Sequence, residues 1–189
     1  MSEAREKLLE AVIEHVAQYG TVDVSLRALA GAVGSSHRML IYHFDSKEGL
    51  LSEVVREVEA RQRAAFTGLG TGEDLSPLEL ARLFWRRLTD ESLRNNEKLF
   101  FELYGQALLG RPGTTGLLDG IVESWLAPVG ELLARFGIPE PERPAHARLA
   151  LAVARGLLLD LLTTGDLEAV DSAMEQFLSG YAQRESRPV

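Results

Sequence analysis

Side chains that can hold an anion are concentrated in the segment GSSHRMLIYHFDSKEGLL, residues 34–51. They are His37, Arg38, Tyr42, His43 and Lys47. The chain as a whole is acidic, with a net charge of −8, so this group of cations departs from the composition around it. Lysine and arginine bind phosphate oxygens, and arginine can also donate two hydrogen bonds to the edge of a guanine. The segment is therefore a candidate site of contact with nucleic acid.

Catalytic and metal chemistry have little support in the sequence. The chain contains no cysteine, which excludes disulfides, thiolate metal sites and a cysteine nucleophile and favours a reducing compartment. His15 and His146 are isolated and lack the spacing of metal ligands. Ser35, Ser36 and His37 are contiguous, whereas a hydrolase needs its serine and histidine brought together by the fold with an orienting acid. We therefore expect no enzymatic activity, no metal and no cofactor.

The sequence also argues against a membrane protein. The longest apolar run, residues 149–162, is too short to span a bilayer and contains Arg155 and Asp160. Residues 1–16 are charged and amphipathic, without the apolar core of a signal peptide. We expect a cytoplasmic protein that makes no contact with a membrane.

The elements before the cationic segment predict the first half of a helix-turn-helix. Apolar residues recur at helical spacing between residues 8 and 16, and Gly20 is a plausible end for that helix. Ser25 is placed to cap a short second helix. Within it, Ala30 is the small residue that lets another helix cross closely, and Gly34 follows where the turn is needed.

The cationic segment itself predicts the second half. Ser35 or Ser36 can cap a third helix, of which Leu40 and Phe44 form the buried side. We expect Met39 to be packed rather than to contact a thymine methyl group. The outward residues near the start of the helix are Ser36, His37, Arg38 and Tyr42, and His43 and Lys47 lie at its exit. Such a helix can present one side to the major groove while its neighbours hold phosphates.

Helical periodicity continues through the rest of the chain, and no useful stretch alternates with the period of a strand. A helix is predicted from Ser46 to about Phe66, followed by a linker over 68–77. Further helices are predicted on either side of a break near Asn95–Asn96, over 117–137 with Pro128 inside, over about 145–163 and over about 167–183. The predicted fold class is all-α with about nine helices. It comprises an N-terminal helix-turn-helix head, residues 1–47, linked by the helix over about 46–66 to a larger helical domain, residues 48–189.

The string SLRALAGAVGSSHRMLIYHFDSKEGLL, after an amphipathic helix that ends in YG, resembles the DNA-binding domain of the TetR family of transcriptional regulators. The resemblance covers about residues 4–58 and rests on the following positions: Leu29, Ala30, Gly34, Ser36, Leu40, His43, Phe44 and SKEGLL at 46–51. It implies a homodimer that reads a palindromic operator in double-stranded DNA. The residues placed by it at the DNA are Ser25, Arg27, Ser36, His37, Arg38, Met39, His43 and Lys47.

Two positions depart from the family's pattern. Ile41 stands where the family usually has an aromatic residue, and Ser35 stands where an apolar residue is usual. Tyr42 follows one place later and is included among the candidate DNA contacts. Whether its hydroxyl replaces the family's usual tyrosine–phosphate contact stays open.

The larger domain is expected to bind a ligand and to dimerise. Aromatic residues of the middle helices are either core or the lining of a cavity for a small apolar effector, as the resemblance implies. The candidate lining residues are Trp85, Phe101, Tyr104, Gln106 and Trp125. The last two helices carry more apolar surface than one helix pair needs, which a second copy or burial within the monomer would cover. The candidate interface residues are Leu157, Leu161, Val170, Met174 and Phe177.

These observations predict a ligand-responsive, homodimeric repressor that binds DNA sequence-specifically. The alternative is a helical module that binds small molecules or proteins and whose DNA head is non-functional.

Overall fold

The structure is a computed structural model that describes residues 3–20, 24–69 and 75–185. The described residues form nine α-helices and two short 3-10 helices, without a strand, so the all-α prediction is confirmed. The α-helices are α1 Glu3–Tyr19, α2 Leu26–Ala32, α3 His37–Phe44, α4 Lys47–Leu69, α5 Pro77–Leu88, α6 Arg94–Leu108, α7 Glu123–Arg135, α8 Arg143–Thr164 and α9 Leu167–Glu185. The 3-10 helices are Glu91–Leu93 and Thr115–Leu118. None of the described helices is long and apolar enough to cross a membrane.

Capping side chains fix the helix boundaries of the N-terminal region. Gly20 follows α1 with a φ of 72°, a conformation that glycine adopts without steric cost. The Ser25 hydroxyl accepts a hydrogen bond from the Ala28 amide at 3.2 Å, and Ser36 accepts one from Met39 at the same distance. Each of these bonds satisfies an amide that the first turn of a helix leaves without a backbone partner.

The chain divides into two compact units. The first comprises the described residues of Met1–Arg61 and Glu91–Asp119, and the second comprises those of Gln62–Asp90 and Gly120–Val189. Helix α4 contributes to both units. The sequence predicts a DNA-binding head that ends at residue 47 and a ligand-binding domain after it. That division is one of function, and it stays a prediction.

The core of the first unit joins the helix-turn-helix to α6. Its fully buried residues include Val12 and Val16 of α1, Leu40 of α3, Leu50 and Val54 of α4, and Leu99 and Leu103 of α6. Burial of each such side chain contributes about 1.5–3 kcal/mol before the entropy cost of folding. The side-chain amide of Asn95 donates a hydrogen bond to the Ala17 carbonyl at 2.9 Å, which ties the start of α6 to the end of α1.

The second unit has a separate core between α7, α8 and α9. Leu133, Phe136, Ile138, Ala147 and Tyr181 form one buried cluster. Helix α5 is held to α9 by a hydrogen bond of 2.6 Å from the Trp85 indole Nε1 to the Asp171 carboxylate. This donor would be costly to bury without a partner, so the bond specifies how the two helices pack.

Two predicted boundaries were wrong. The break expected near Asn95–Asn96 lies earlier, at Thr89–Asp90, and Asn96 is buried inside α6. Both asparagines lie in the first turn of α6, where the side-chain amide of Asn95 binds the Ala17 carbonyl of α1. The helix expected over 117–137 begins only at Glu123, although it does contain Pro128.

Candidate nucleic-acid interface

Helix α3 is buried along one side and exposed along the other. Leu40 has no exposed surface and Phe44 retains 4% of its own, so this i, i+4 pair anchors the helix in the core. The opposite side carries Arg38 and Tyr42, and Tyr42 is 76% exposed. His37, one turn before Leu40 on the buried side, is exposed because it is the first residue of the helix. The predicted outward face of this helix is therefore free of the first unit's core.

The turn between α2 and α3 has the chemistry that the sequence predicts. Gly34 has a φ of 66°, and Ala30, 1% exposed, is the small residue buried between the helices. The Ser35 amide donates a hydrogen bond to the Ala30 carbonyl at 2.8 Å, which closes the end of α2. Ser36, exposed, then caps the start of α3 through its hydroxyl. Ser25 and Arg27 lie exposed at the start of α2.

The sequence predicts that Met39 is packed, and this prediction is wrong: 40% of its surface is exposed. The buried side of α3 is the Leu40–Phe44 pair, and Met39 precedes Leu40 by about 100° around the helix axis. Arg38, Met39 and Tyr42 share one face, since residues three and four apart are neighbours on a helix. A thioether beside a guanidinium on an exposed face can contact a thymine methyl next to a hydrogen-bonded base.

His43 and Lys47, the two predicted phosphate contacts at the exit of α3, are both half-buried. The Nε2 atom of His43 is buried and has no hydrogen-bond partner among the described residues. Its ring lies edge-on between Tyr42 and Phe44. A buried Nε2 cannot reach DNA in this conformation, so the predicted phosphate contact of His43 gains no support, whereas Lys47 opens α4 at the protein surface.

Arg5 fixes the corner between α3 and α4. Its guanidinium lies 4.8 Å from the centre of the Phe44 ring, donates through Nε to the His43 carbonyl at 3.4 Å, and pairs with Glu53 at 3.2 Å. At the same corner the Ser46 hydroxyl accepts a hydrogen bond from the Gly49 amide at 2.9 Å. These contacts hold α3 at a defined angle to α4.

The cations of the first unit fall into two groups. Those of the first group each lie within ion-pair distance of a glutamate: Arg5, Lys7, Arg56, Arg61 and Arg94. Those of the second group have no acidic partner within the part of the chain that the structure describes: Arg27, Arg38, Lys47, Lys98 and Arg111. Three members of the second group are predicted DNA contacts on α2, α3 and the start of α4. An unpaired surface cation keeps its full charge for a phosphate.

The paired cations stabilise the unit instead. Arg61 binds the Glu10 carboxylate with two nitrogens and also pairs with Glu57 at 2.9 Å. The hydrogen bonds from Arg61 hold the pKa of Glu10 below its ordinary value. The Glu10–Arg61 pair links α1 to α4 across 51 positions of sequence, so it acts on the tertiary fold rather than on one helix.

The predicted ligand residues are divided between the two units. Phe101, Tyr104 and Gln106 belong to α6 in the first unit, whereas Trp85 and Trp125 are buried in the second. The second unit contains a cavity of about 220 Å³ that none of the five predicted residues lines. Its lining residues are Phe66, Thr67, Leu69, Leu80, Pro128, Glu131, Leu132 and Arg135. No cluster that could hold a metal ion occurs among the described residues.

The predicted interface residues lie mostly inside the second unit. Leu161, Val170 and Met174 are 7%, 1% and 6% exposed within a single chain, so they have little surface left to give to a partner. Leu157 and Phe177 are half-buried. Burial within the monomer, the alternative explanation, therefore accounts for most of the apolar stripe. Their role in an interface stays a prediction.

The outward faces of α8 and α9 carry a different pattern, which the sequence reasoning missed. On α8 the exposed stripe comprises Leu149, Ala152, Gly156 and Leu159. On α9 it comprises Ala169, Ala173 and Gly180. A Cβ atom built at Gly156 or Gly180 would meet no atom within 4 Å. The spacing of small residues by four could have revealed this face, but small residues carry little hydrophobic signal.

The chain begins with a helix-turn-helix that has an exposed face of unpaired cations, and a larger helical region follows. These features are typical of helix-turn-helix DNA-binding proteins. The family described as "Bacterial regulatory proteins, tetR family" matches residues 8–54. A solved structure of a TetR family member from Streptomyces coelicolor is 30% identical, covers all of both chains and superposes with a TM-score of 0.64. The chain therefore belongs to the TetR family.

Two other relatives agree with this assignment. The HTH-type transcriptional regulatory protein RaaS of Mycobacterium tuberculosis is 30% identical over 47% of this chain. The chain matches only about half of that relative, 53% of its length. A transcriptional regulator from Rhodococcus has a TM-score of 0.76 at 21% identity, over 98% of this chain and 100% of its own, which is a likeness of fold.

Proposed function

We propose that this protein is a sequence-specific DNA-binding transcriptional regulator whose helix α3 enters the major groove. The observation that carries the proposal is the division of α3 into a buried Leu40–Phe44 side and an exposed side with Arg38. The major groove is about 12 Å wide and admits one α-helix. A helix fixed by its apolar side can therefore present the other side to base edges without unfolding.

The exposed residues divide into base contacts and phosphate contacts. Arg38 and Met39, near the start of α3, are suited to read a guanine edge and a neighbouring thymine methyl group. Arg27 and Lys47 are suited to hold phosphates on either side, because both are unpaired cations outside α3. Tyr42, also exposed, would contact a phosphate of the DNA backbone through its hydroxyl.

The functional form is a homodimer joined through α8 and α9. The small residues Ala152, Gly156 and Ala173 would let two such helix pairs approach closely, and Leu149 and Leu159 would supply apolar area around them. A two-fold dimer places two recognition helices against half-sites about one helical turn, roughly 34 Å, apart. A palindromic operator follows from that symmetry.

A small effector would bind in the cavity of the second unit. Its lining is mainly apolar, and Glu131 and Arg135 are the charged residues in it. Phe66, Thr67 and Leu69 of this lining belong to α4, the helix that begins at Lys47 next to the recognition helix. Suppose that α4 can adopt two placements and that the effector binds one of them more tightly. The effector would then change DNA affinity by the difference between its two binding free energies, about 1–3 kcal/mol or 5- to 150-fold.

A gel-shift titration with the duplex upstream of the protein's own coding region tests the DNA-binding function. We expect Arg38→Ala and Lys47→Ala to weaken binding while the circular dichroism spectrum is unchanged. Lys98→Ala is the matched control, because Lys98 is exposed and unpaired, as Arg38 is, but lies near the start of α6. If all three variants bind as the wild type does, α3 and α4 do not contact the duplex and the proposal fails.

A further inference from the structure

The loop after α6 packs against the first turns of α4. The Ser52 hydroxyl donates a hydrogen bond to the Gly113 carbonyl at 3.1 Å. A Cβ atom at Gly113, where φ is +82°, would lie 3.0 Å from the Cβ of Glu48 and 3.1 Å from the Ser46 hydroxyl. The contact is therefore so close that only glycine fits without displacing α4. Both partners belong to the first unit.

Arg111 is two residues before Gly113, the part of this loop that touches the beginning of α4. A Cβ at Gly116 would meet the Arg56 guanidinium at 2.7 Å, whereas Gly113 lies between Ser46 and Ser52. Gly116 therefore lies near the third turn of α4, and Gly113 lies near its first turn. Arg111 is two residues further back, and two residues span at most about 7 Å.

The main chain of Arg111 is held on both sides. Its amide donates to the Gln106 carbonyl at 3.1 Å, at the end of α6, and its carbonyl accepts from the Thr114 amide at 3.2 Å. The Thr114 side chain, which is fully buried, donates to the same carbonyl at 2.8 Å. A fixed backbone lowers the entropy cost of ordering the guanidinium on a ligand.

The side chain of Arg111 is exposed and has no partner within the ranges that the structure describes. Glu48, whose Cβ is next to Gly113, makes no ion pair with it there. Arg56, the arginine that the same loop covers at Gly116, is instead paired with Glu53 at 3.1 Å. Arg111 thus shares the unpaired state of Arg27, Arg38 and Lys47.

We propose that Arg111 binds a DNA backbone phosphate next to the one held at Lys47, so that the loop after α6 is a further DNA-contacting element. The inference rests on the proposed function, because it places the duplex against the start of α4. A guanidinium is suited to the role, since it binds phosphate oxygens with two parallel hydrogen bonds. The contact would add affinity without sequence preference.

The salt dependence of DNA binding tests this contact. Each phosphate contact contributes about 0.9 to the slope of log K against log salt concentration. For Arg111→Gln we expect the slope to fall by about 0.9 for each subunit that engages the duplex, while Arg111→Lys retains the wild-type slope. The probe is the duplex upstream of the coding region, titrated between 50 and 200 mM NaCl by fluorescence anisotropy.

Lys98→Gln is the control for a change of net charge alone. Lys98 lies near the N-terminal end of α6, and Arg111 lies just beyond its C-terminal end. Ten residues, or about 15 Å of helix, separate Lys98 from Leu108, the last residue of α6. We expect no change of slope for this variant. The inference is overturned if Lys98→Gln and Arg111→Gln change the slope equally. It is also overturned if Lys47→Gln lowers the slope and Arg111→Gln does not. If none of the three variants alters the slope, the proposed function itself fails.

Discussion

Gly49, in the first turn of α4, is the position at which a single methyl group should disturb the packing of α3 against α4, the two helices proposed to contact DNA. A Cβ atom there would lie 2.4 Å from the backbone oxygen of Phe44, the last residue of α3. Ordinary contact begins at 3.4 Å, so α4 and the end of α3 must separate by about 1 Å in the Gly49→Ala variant. That shift also strains the hydrogen bond of 2.7 Å from the Ser46 amide to the Phe44 carbonyl.

The expected sign is opposite to that of an ordinary helical glycine. Glycine to alanine in an exposed helix interior stabilises by roughly 0.5–1 kcal/mol. Overpacking against a backbone atom costs about 1–3 kcal/mol. We therefore expect Gly49→Ala to lose about 1–2 kcal/mol net, which lowers the melting temperature by roughly 2–8 °C for a chain of this size.

Gly105→Ala is the matched control in the same unit. Gly105 is exposed in α6, and a Cβ there would meet no atom within 4 Å. We expect this variant to melt about 1–4 °C higher than the wild type. Differential scanning calorimetry of both variants, with the gel-shift titration, measures the two effects. Were Gly49→Ala as stable as Gly105→Ala and equally able to bind DNA, the close approach of α4 to Phe44 would not exist.

Three further predictions concern the dimer, the pH dependence and the cavity. Gly156→Arg should fold but run as a monomer in light scattering, whereas Gly105→Arg should remain dimeric; a dimer for both would exclude the outward face of α8 as the interface. Because the pKa of Glu10 is lowered by Arg61, the pair stabilises the fold above the ordinary carboxyl value of 4.5 and loses its effect as the pH falls through the lowered pKa. The Glu10→Gln variant should therefore be less stable at pH 7 by less than about 1 kcal/mol and match the wild type at low pH in urea titrations; a gap that persists there refutes the assignment. Leu132→Trp should fill the cavity, so that compounds which raise the wild-type melting temperature no longer raise that of the variant; an unchanged shift would place the effector elsewhere.

The helix-turn-helix could be predicted from the sequence because its determinants are local. Ser25 and Ser36 act within three residues of themselves, and the Leu40–Phe44 pair is a one-turn spacing. Gly20 and Gly34 adopt positive φ, as their positions after the ends of α1 and α2 predict. Each of these signals depends on neighbours in the sequence, so no knowledge of the tertiary fold was needed.

Features that depend on distant contacts could not be predicted in the same way. The bond from Asn95 to Ala17 joins residues 78 positions apart, and the exposure of Met39 depends on which side of α3 meets the core. The buried state of Val170 and Met174 required knowledge of how α9 packs within its own unit. The contact of Gly113 with α4 joins residues 61 positions apart, beyond the reach of any local pattern.

The absence of cysteine from the sequence allows one direct test of the central claim, that the outward side of α3 enters duplex DNA. Met39→Cys and Lys98→Cys each introduce a single thiol on an exposed position, and the rate of alkylation of each thiol is measured with and without the upstream duplex. We predict that the duplex slows alkylation at position 39 at least tenfold and leaves the rate at position 98 unchanged. Equal rates at position 39 with and without bound duplex would contradict the account.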